Sequence, residues 1–233
     1  MNGDAALFEA LRKISTATVT TVLMKHDIRR VWMRGPKPLR SGGPRMVGRA
    51  FTLRFIPARE DVATPASWAS PTSTRAAIEA MPAGCIAIAD TGGNTDAGAF
   101  GEILCSRMCA RGVAGLITDG AVRDATGIAA CGLPTWCNGA AAPPSIAGVT
   151  FAGWDEAIGC GGVAVFPNDI IVADDDGAVV IPQALLADVV KEGAEQERFE
   201  NWIIGELKKG VKLTDLYPPT PETLARYNAA MKK

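Results

Sequence analysis

The run CIAIADTGGNTDAGAFGEILCSRMCARGVAGLITDGAVRD, from Cys85 to Asp124, decides the fold of this chain. Its first piece, Cys85 to Asp90, is short, apolar and closed by an acid, which is the pattern of a buried strand. A glycine-rich link follows. Gly101 to Arg111 then reads as a helix, with Ile103, Leu104 and Met108 on one face and Gly112 placed to end it. Val113 to Thr118 is a second buried strand, and Asp119-Gly120 turns the chain into Arg123-Asp124. A strand–helix–strand unit of this length gives parallel strands joined by a right-handed crossover.

That topology carries a chemical consequence. Loops leaving the carboxyl ends of adjacent parallel strands meet in one crevice, where open α/β sheets bind ligands. One loop delivers a helix start, whose N–H groups at Ile103 and Leu104 lack intrahelical partners and suit an anion. The other delivers Arg123, able to grip a carboxylate through two parallel hydrogen bonds, and Asp124, able to hold a hard divalent cation. Together they suit a small oxo-acid that offers a carboxylate and a keto oxygen to a metal. The same Arg-Asp pair also reads as an ordinary cap on a turn, and spacing alone does not choose.

Working outward, Asp4 to Lys13 and Ser15 to Lys25 read as helices, the second capped by its serine. Val31 to Pro44 reads as loop and Met46 to Ile56 as a strand. Glu60 to Ser73 is polar, contains prolines, and suits a loop over the site; Arg75 to Ala80 suits a short helix. Beyond Asp124, Pro134 to Cys137, Ile146 to Phe151, Gly162 to Phe166 and Ile170 to Ala173 read as strands. Asp174-Asp175-Asp176-Gly177 is better read as a hairpin turn than as a calcium loop, because the acids are not spaced at alternate positions. Pro182 to Lys209 reads as one long helix or two abutting ones, with a bend at Gly193. A last short helix is capped near Thr220.

Composition sets outer bounds. The 233 residues suffice for one well-packed domain with a peripheral arm, or for two small domains. A net charge of −1 leaves no electrostatic footprint for nucleic acid or an anionic membrane. No apolar run approaches the roughly 20 residues that span a bilayer, and MNGDAALFEALRK lacks a signal-peptide core, so a cytoplasmic protein is expected. The six cysteines form no C-x-x-C pair and read as structural thiols. The single histidine, His26, lies in the polar segment KHDIRR, which argues against histidine-based catalysis.

The run GEILCSRMCARGVAGLITDGAVRD, residues 101 to 124, resembles the signature of the family that includes 4-hydroxy-4-methyl-2-oxoglutarate aldolase and the protein regulator of ribonuclease activity A, the RraA-like family. STATVTTVL (residues 15–23), GRAFTLRF (48–55), FPNDIIVADDDGAVVIP (166–182) and LYPPTPETLARY (216–227) are similar to family segments as well. The resemblance implies a single α/β domain, an RraA-like sandwich with a swivelling β/β/α core at 46–181. Helical N- and C-terminal arms at 1–45 and 182–233 would flank that core. It implies assembly as a homotrimer or a homohexamer with active sites at subunit interfaces.

It also implies roles. Arg123 would bind the carboxylate or keto oxygen of the substrate, and Asp124 would be the one direct ligand to Mg²⁺ or Mn²⁺. Glu102 would hold waters of the metal shell. Gly101 and the amides of Ile103 and Leu104 would hold the pyruvyl carboxylate. A further acid would come from a neighbouring subunit, with Glu200 the first choice and Glu197 the second. Two positions depart from the family pattern: Gly127 stands where the aldolases carry an acid, and Thr20-Thr21 stands where the family often has one.

The activity implied is metal-dependent cleavage of a 4-hydroxy-2-oxo acid to pyruvate through a stabilised enolate, with a metal-shell water shuttling the proton. The same chemistry would permit oxaloacetate decarboxylation. The expected partner is then a small 2-oxo acid, with no nucleic acid or membrane. A non-catalytic regulator binding a protein such as a ribonuclease is the alternative, and a related enzyme for a different oxo-acid, such as a sugar-acid derivative, is a third.

Overall fold

A twelve-residue strand, Met46–Pro57, runs through the middle of the sheet and meets neighbours along both edges. The computed structural model describes residues 4–232. In chain order its helices are α1 (Asp4–Leu11), α2 (Thr16–Lys25), α3 (Thr74–Ala80), α4 (Glu102–Ala110), α5 (Ala125–Cys131), α6 (Leu186–Lys208) and α7 (Pro221–Ala230). Its strands are β1 (Lys37–Pro38), β2 (Met46–Pro57), β3 (Ile86–Asp90), β4 (Gly115–Thr118), β5 (Thr135–Cys137), β6 (Val149–Trp154), β7 (Ile170–Asp174) and β8 (Gly177–Ile181). Strand order is β1-β5-β4-β3-β2-β7-β8. From β2 to β5 the strands are parallel, whereas β7, β8 and β1 join antiparallel. Past Leu53 the edge of β2 that paired β7 is taken over by antiparallel β6, with a register shift between Arg54 and Phe55. The chain is therefore α/β with a mixed sheet.

Period-2 alternation builds two cores from the same strands. In β3, Ala87 and Ala89 face one core with Leu116 and Phe100, while Ile86 and Ile88 face the other with Ile117 and Ile171. Burial on both faces explains why β3 and β4 read as continuous apolar runs. Helices α3, α4 and α5 cover the first face through Ile78, Met108 and Ile128. Helices α1, α2 and α6 pack against the β7–β8 hairpin through Leu11, Val22 and Val189. No helix among the described residues is long and apolar enough to cross a membrane.

The hairpin expected at Asp174–Gly177 is present, with Asp174 paired to Gly177 and Gly177 at φ 131°. Asp174 does more than shape the turn. Its carboxylate accepts from the Thr16 amide at 2.9 Å, the Thr16 hydroxyl at 2.6 Å and Arg45 Nε at 3.2 Å. It thereby ties the start of α2 to the sheet. Burial pushes its pKa up, but the Thr16, Arg45 and Asp176 donors outweigh burial and hold it below the usual carboxylate range. A depressed pKa stabilises the fold above the unfolded value, and the contribution is lost as pH falls through the folded value. Asp174→Asn should therefore cost roughly 1–3 kcal/mol at pH 7. The gap from wild type should close as pH drops below about 4. Thermal midpoints followed from pH 7 down to about pH 2 would check this, and a gap that does not narrow as pH falls below about 4 would exclude the ionised carboxylate as its source.

Several sequence expectations need correction. Helix α5 was not expected: Gly127 and a run of small residues hide it, and it forms because Asp124 and Gly132 bracket it in left-handed conformations. Ile103 does not face the core, since it is 85% exposed; Cys105 and Met108 are the buried side of α4. β6 begins three residues later than expected because Ser145–Ala147 forms a 3-10 turn. Gly162 to Phe166 is not a strand. It makes one isolated bridge, Ile158 to Val165, and its Val163 and Val165 are buried as anchors over the sheet. α6 runs unbroken through Gly193, where a Cβ would sit 2.8 Å from Ile14 Cγ2; that glycine serves close packing.

Candidate functional site

Three loops leave the carboxyl ends of β3, β4 and β5 and are laced together by backbone hydrogen bonds. Gly98 N–H donates to Pro143 at 3.0 Å, Ala99 N–H to Ala121 at 3.0 Å, and Arg123 N–H to Phe100 at 2.8 Å. Gly98 is required for this approach: a Cβ there would lie 2.6 Å from the Arg123 backbone nitrogen. Below the loops, buried Asp119 accepts from the Thr91 amide and hydroxyl at 2.8 and 2.9 Å and from Gly161 N–H at 3.2 Å. These bonds fasten the two strand ends to each other, so Arg123 and Asp124 are held by main chain.

The lacing places Arg123 and Asp124 in a cavity of about 320 Å³ beside Gly101, Ile103 and Leu104. Asp124 is the residue before α5 and has φ 54°, an uncommon conformation for a residue with a side chain. Strain of that kind concentrates at functional positions. Arg123 Nε lies 3.5 Å from Asp124 Oδ2, near enough for attraction, yet it is buried and makes no hydrogen bond among the described residues. A buried donor without an acceptor is costly unless a ligand supplies one.

The α4 N-terminus completes this wall. Its preceding residue, Gly101, has no side chain to cap the helix, so the first-turn amides are left to the cavity. A Cβ at Gly101 would lie 2.7 Å from Asp124 Oδ2, so the missing side chain also makes room for that carboxylate.

Glu102 and Gly127 explain each other. A Cβ at position 127 would lie 2.2 Å from Glu102 Oε2, so the Glu102 carboxylate rests where a residue-127 side chain would begin. The glycine that departs from the family pattern thus admits an acid from α4. Asp124 lines the cavity and Glu102 stands beside Gly127 outside its lining; hard oxygen donors of this kind are what Mg²⁺ or Mn²⁺ takes when waters fill most of its shell. No group of three or more His, Cys, Asp or Glu converges among the described residues, so the set fits a water-rich divalent ion and not a closed zinc centre.

The other candidates lie elsewhere. Glu200 is exposed on α6, where Gln196 donates to it at 2.7 Å, and Glu197 accepts from Ser15 N–H at 2.8 Å; neither lines this chain's cavity. His26 ends α2 and contacts Glu192 at 2.9 Å. The six cysteines are free, and burial raises the Cys85 thiol to about 11 and Cys160 well above its usual range, so these two stay protonated. Sequence reasoning did not single out Trp68 and Arg75 for the site, yet both line the same cavity as α4's Ile103 and Leu104. Trp68 lies in the polar, proline-bearing stretch expected to cover the site, whereas Arg75 opens the short helix expected after it.

A family model described as RraA-like, Aldolase/RraA, matches residues 13–180. Protein DlpA of Legionella pneumophila is 31% identical over 156 residues, covering 67% of this chain and 24% of that protein. A Halalkalibacterium halodurans protein named as a candidate 4-hydroxy-4-methyl-2-oxoglutarate aldolase is 30% identical over 123 residues, covering 53% of this chain and 58% of that one. The chain thus spans a quarter and somewhat over half of the lengths of these two relatives. Among solved structures, Streptomyces coelicolor RraAS2 is described as an unusual member of the RNase ES inhibitor RraA protein family. It aligns with TM-score 0.77 at 32% identity, covering 87% of this chain and 97% of that one.

Proposed function

Since this chain belongs to the RraA-like family, Aldolase/RraA, we propose that it is a divalent-metal-dependent lyase that cleaves a 4-hydroxy-2-oxo acid, such as 4-hydroxy-4-methyl-2-oxoglutarate, to pyruvate. One observation carries the reading: the unpartnered Arg123 Nε stands beside Asp124 in the cavity onto which the α4 N-terminus opens. Ile103 and Leu104 N–H groups hold the substrate's 1-carboxylate. Arg123 donates to the 2-keto oxygen, on which negative charge gathers as the C3–C4 electron pair shifts toward C3. The proton of the 4-hydroxyl leaves as C4 becomes a carbonyl, and C3 is then protonated to give pyruvate. Among the described residues of this chain no imidazole lines the cavity, so these protons pass by way of carboxylate or water. Asp124 and Glu102 would hold Mg²⁺ or Mn²⁺, which supplies Lewis-acid stabilisation at the keto oxygen when bound. The same set of groups would accept oxaloacetate, with carbon dioxide leaving from C3.

Glu200, absent from this chain's own cavity, is assigned to the site of a neighbouring copy in a trimer or a dimer of trimers. The second reading, a non-catalytic regulator of a protein partner such as a ribonuclease, draws on Gly127, which replaces an acid found in the aldolases.

Pyruvate release from 4-hydroxy-4-methyl-2-oxoglutarate and from oxaloacetate, with Mg²⁺ and with chelator, separates the two. The lyase reading expects turnover with Mg²⁺ that falls to background with chelator. A folded protein that releases no pyruvate from either acid would sink it and leave a different oxo-acid or a protein partner.

A further inference from the structure

We propose that Arg75, held over the Trp68 ring, is a specificity-determining residue that binds a second carboxylate and so selects dicarboxylic 2-oxo acids. The inference rests on the reading above for the first carboxylate. Arg75 lines the same cavity as Arg123 and Asp124. Its guanidinium carbon lies 5.7 Å from the centroid of the Trp68 ring. A cation–π contact of this kind occupies none of the guanidinium's N–H donors with an acceptor atom, so they stay available to a ligand.

Among the described residues the protein supplies no such acceptor. Glu79, four residues further along α3, has the spacing of a helical ion-pair partner for Arg75. It is engaged instead by Arg107, at 2.8 Å to each oxygen, and by Arg111 at 3.1 Å. Arg75 makes no ion pair or hydrogen bond among the described residues; its one charge interaction there is with Trp68. It also sits in the first turn of α3, where the helix dipole disfavours a cation. Neither helix stability nor surface pairing accounts for it.

Charge balance in the cavity gives the ligand's chemistry. Asp124 and Glu102 would offset a divalent ion, and the substrate's first carboxylate, held at the α4 amides, offsets Arg123. Arg75 then remains as a surplus cation in a space of about 320 Å³, the scale of a small-molecule site. A second carboxylate at the far end of a short oxo-acid supplies the missing anion, and a bidentate pair is the strong form of that contact.

The test measures binding, so it stands apart from turnover. Calorimetry in Mg²⁺ would compare 2-oxoglutarate with 2-oxopentanoate, which has the same chain length without the distal carboxylate. Wild type should bind 2-oxoglutarate at least ~10-fold tighter, as one charge-assisted contact provides. In Arg75→Ala that ratio should fall to near one, because 2-oxoglutarate weakens and 2-oxopentanoate does not. Arg75→Lys should restore part of it. The proposal is overturned if the ratio survives in Arg75→Ala, if both acids weaken equally, or if wild type shows no preference or binds neither. If the preference holds but no pyruvate is released from 4-hydroxy-4-methyl-2-oxoglutarate, the lyase reading fails and the Arg75 assignment stands. If pyruvate is released and KM for that substrate is unchanged in Arg75→Ala, the reverse holds.

Discussion

Arg123→Ala is expected to slow metal-dependent pyruvate release about 10²–10³-fold, the usual loss when one donor to a developing oxyanion is removed. The fall should appear mainly in kcat, because the proposed lyase step has Arg123 donating most strongly when charge reaches the keto oxygen. The fold should survive. The side chain is partly exposed, and its anchoring bond, Arg123 N–H to the Phe100 carbonyl, belongs to the backbone. Removing the guanidinium also removes a buried Nε that has no partner among the described residues, so stability should stay within a fraction of a kcal/mol or rise slightly. Arg123→Lys keeps the charge but loses the planar fork, and should recover only part of the rate. Steady-state kinetics with both acids, beside thermal melts, would check this. An unchanged rate in Arg123→Ala would remove Arg123 from the mechanism.

Phe100→Ala is expected to cost about 3–5 kcal/mol. Phe100 is fully buried and meets Phe55 edge-on, with centroids 5.9 Å apart at 80°. Alanine would leave a cavity beneath the Gly98–Gly101 segment, and the loop cannot collapse freely because β3 and β4 are packed on both faces. Activity should fall as well, since the Phe100 carbonyl is the acceptor that holds the Arg123 amide. Urea denaturation followed by circular dichroism would read the loss directly. A cost under about 1 kcal/mol would mean that the residue is not tightly packed.

The two predictions meet in one segment. Phe100 points into the core while its own carbonyl accepts from Arg123 N–H, so a core residue and a site residue are joined by one main-chain hydrogen bond. Packing strength at Phe100 therefore sets how firmly the Arg-Asp pair is held.

Much of this was legible in the residues. Alternation and apolar runs gave β2, β3, β4 and β7, because strands buried on one or both faces must carry that pattern. Ser15 and Thr220 marked helix starts through cap chemistry, and both accept the expected amide bond. Local signals failed where tertiary packing decides. Short α5 is fixed by two left-handed residues at its ends and by Ile128 in the core, not by helix propensity. Val163 and Val165 alternate like a strand, yet that pattern reflects burial alone.

By itself, the sequence determined the strand–helix–strand unit and the adjacency of Arg123 to Asp124, because both are set by residues close together in the chain. It also settled the family, which the matching region bears out. Only the tertiary structure showed that Glu102 occupies the space left at Gly127, that Arg75 and Trp68 face the same cavity, and that Glu79 is held away from Arg75. Those relations join residues 25 or more positions apart, or turn on the absence of a side chain. Period and propensity describe a chain's own neighbours, and close approach between distant backbones is written in neither.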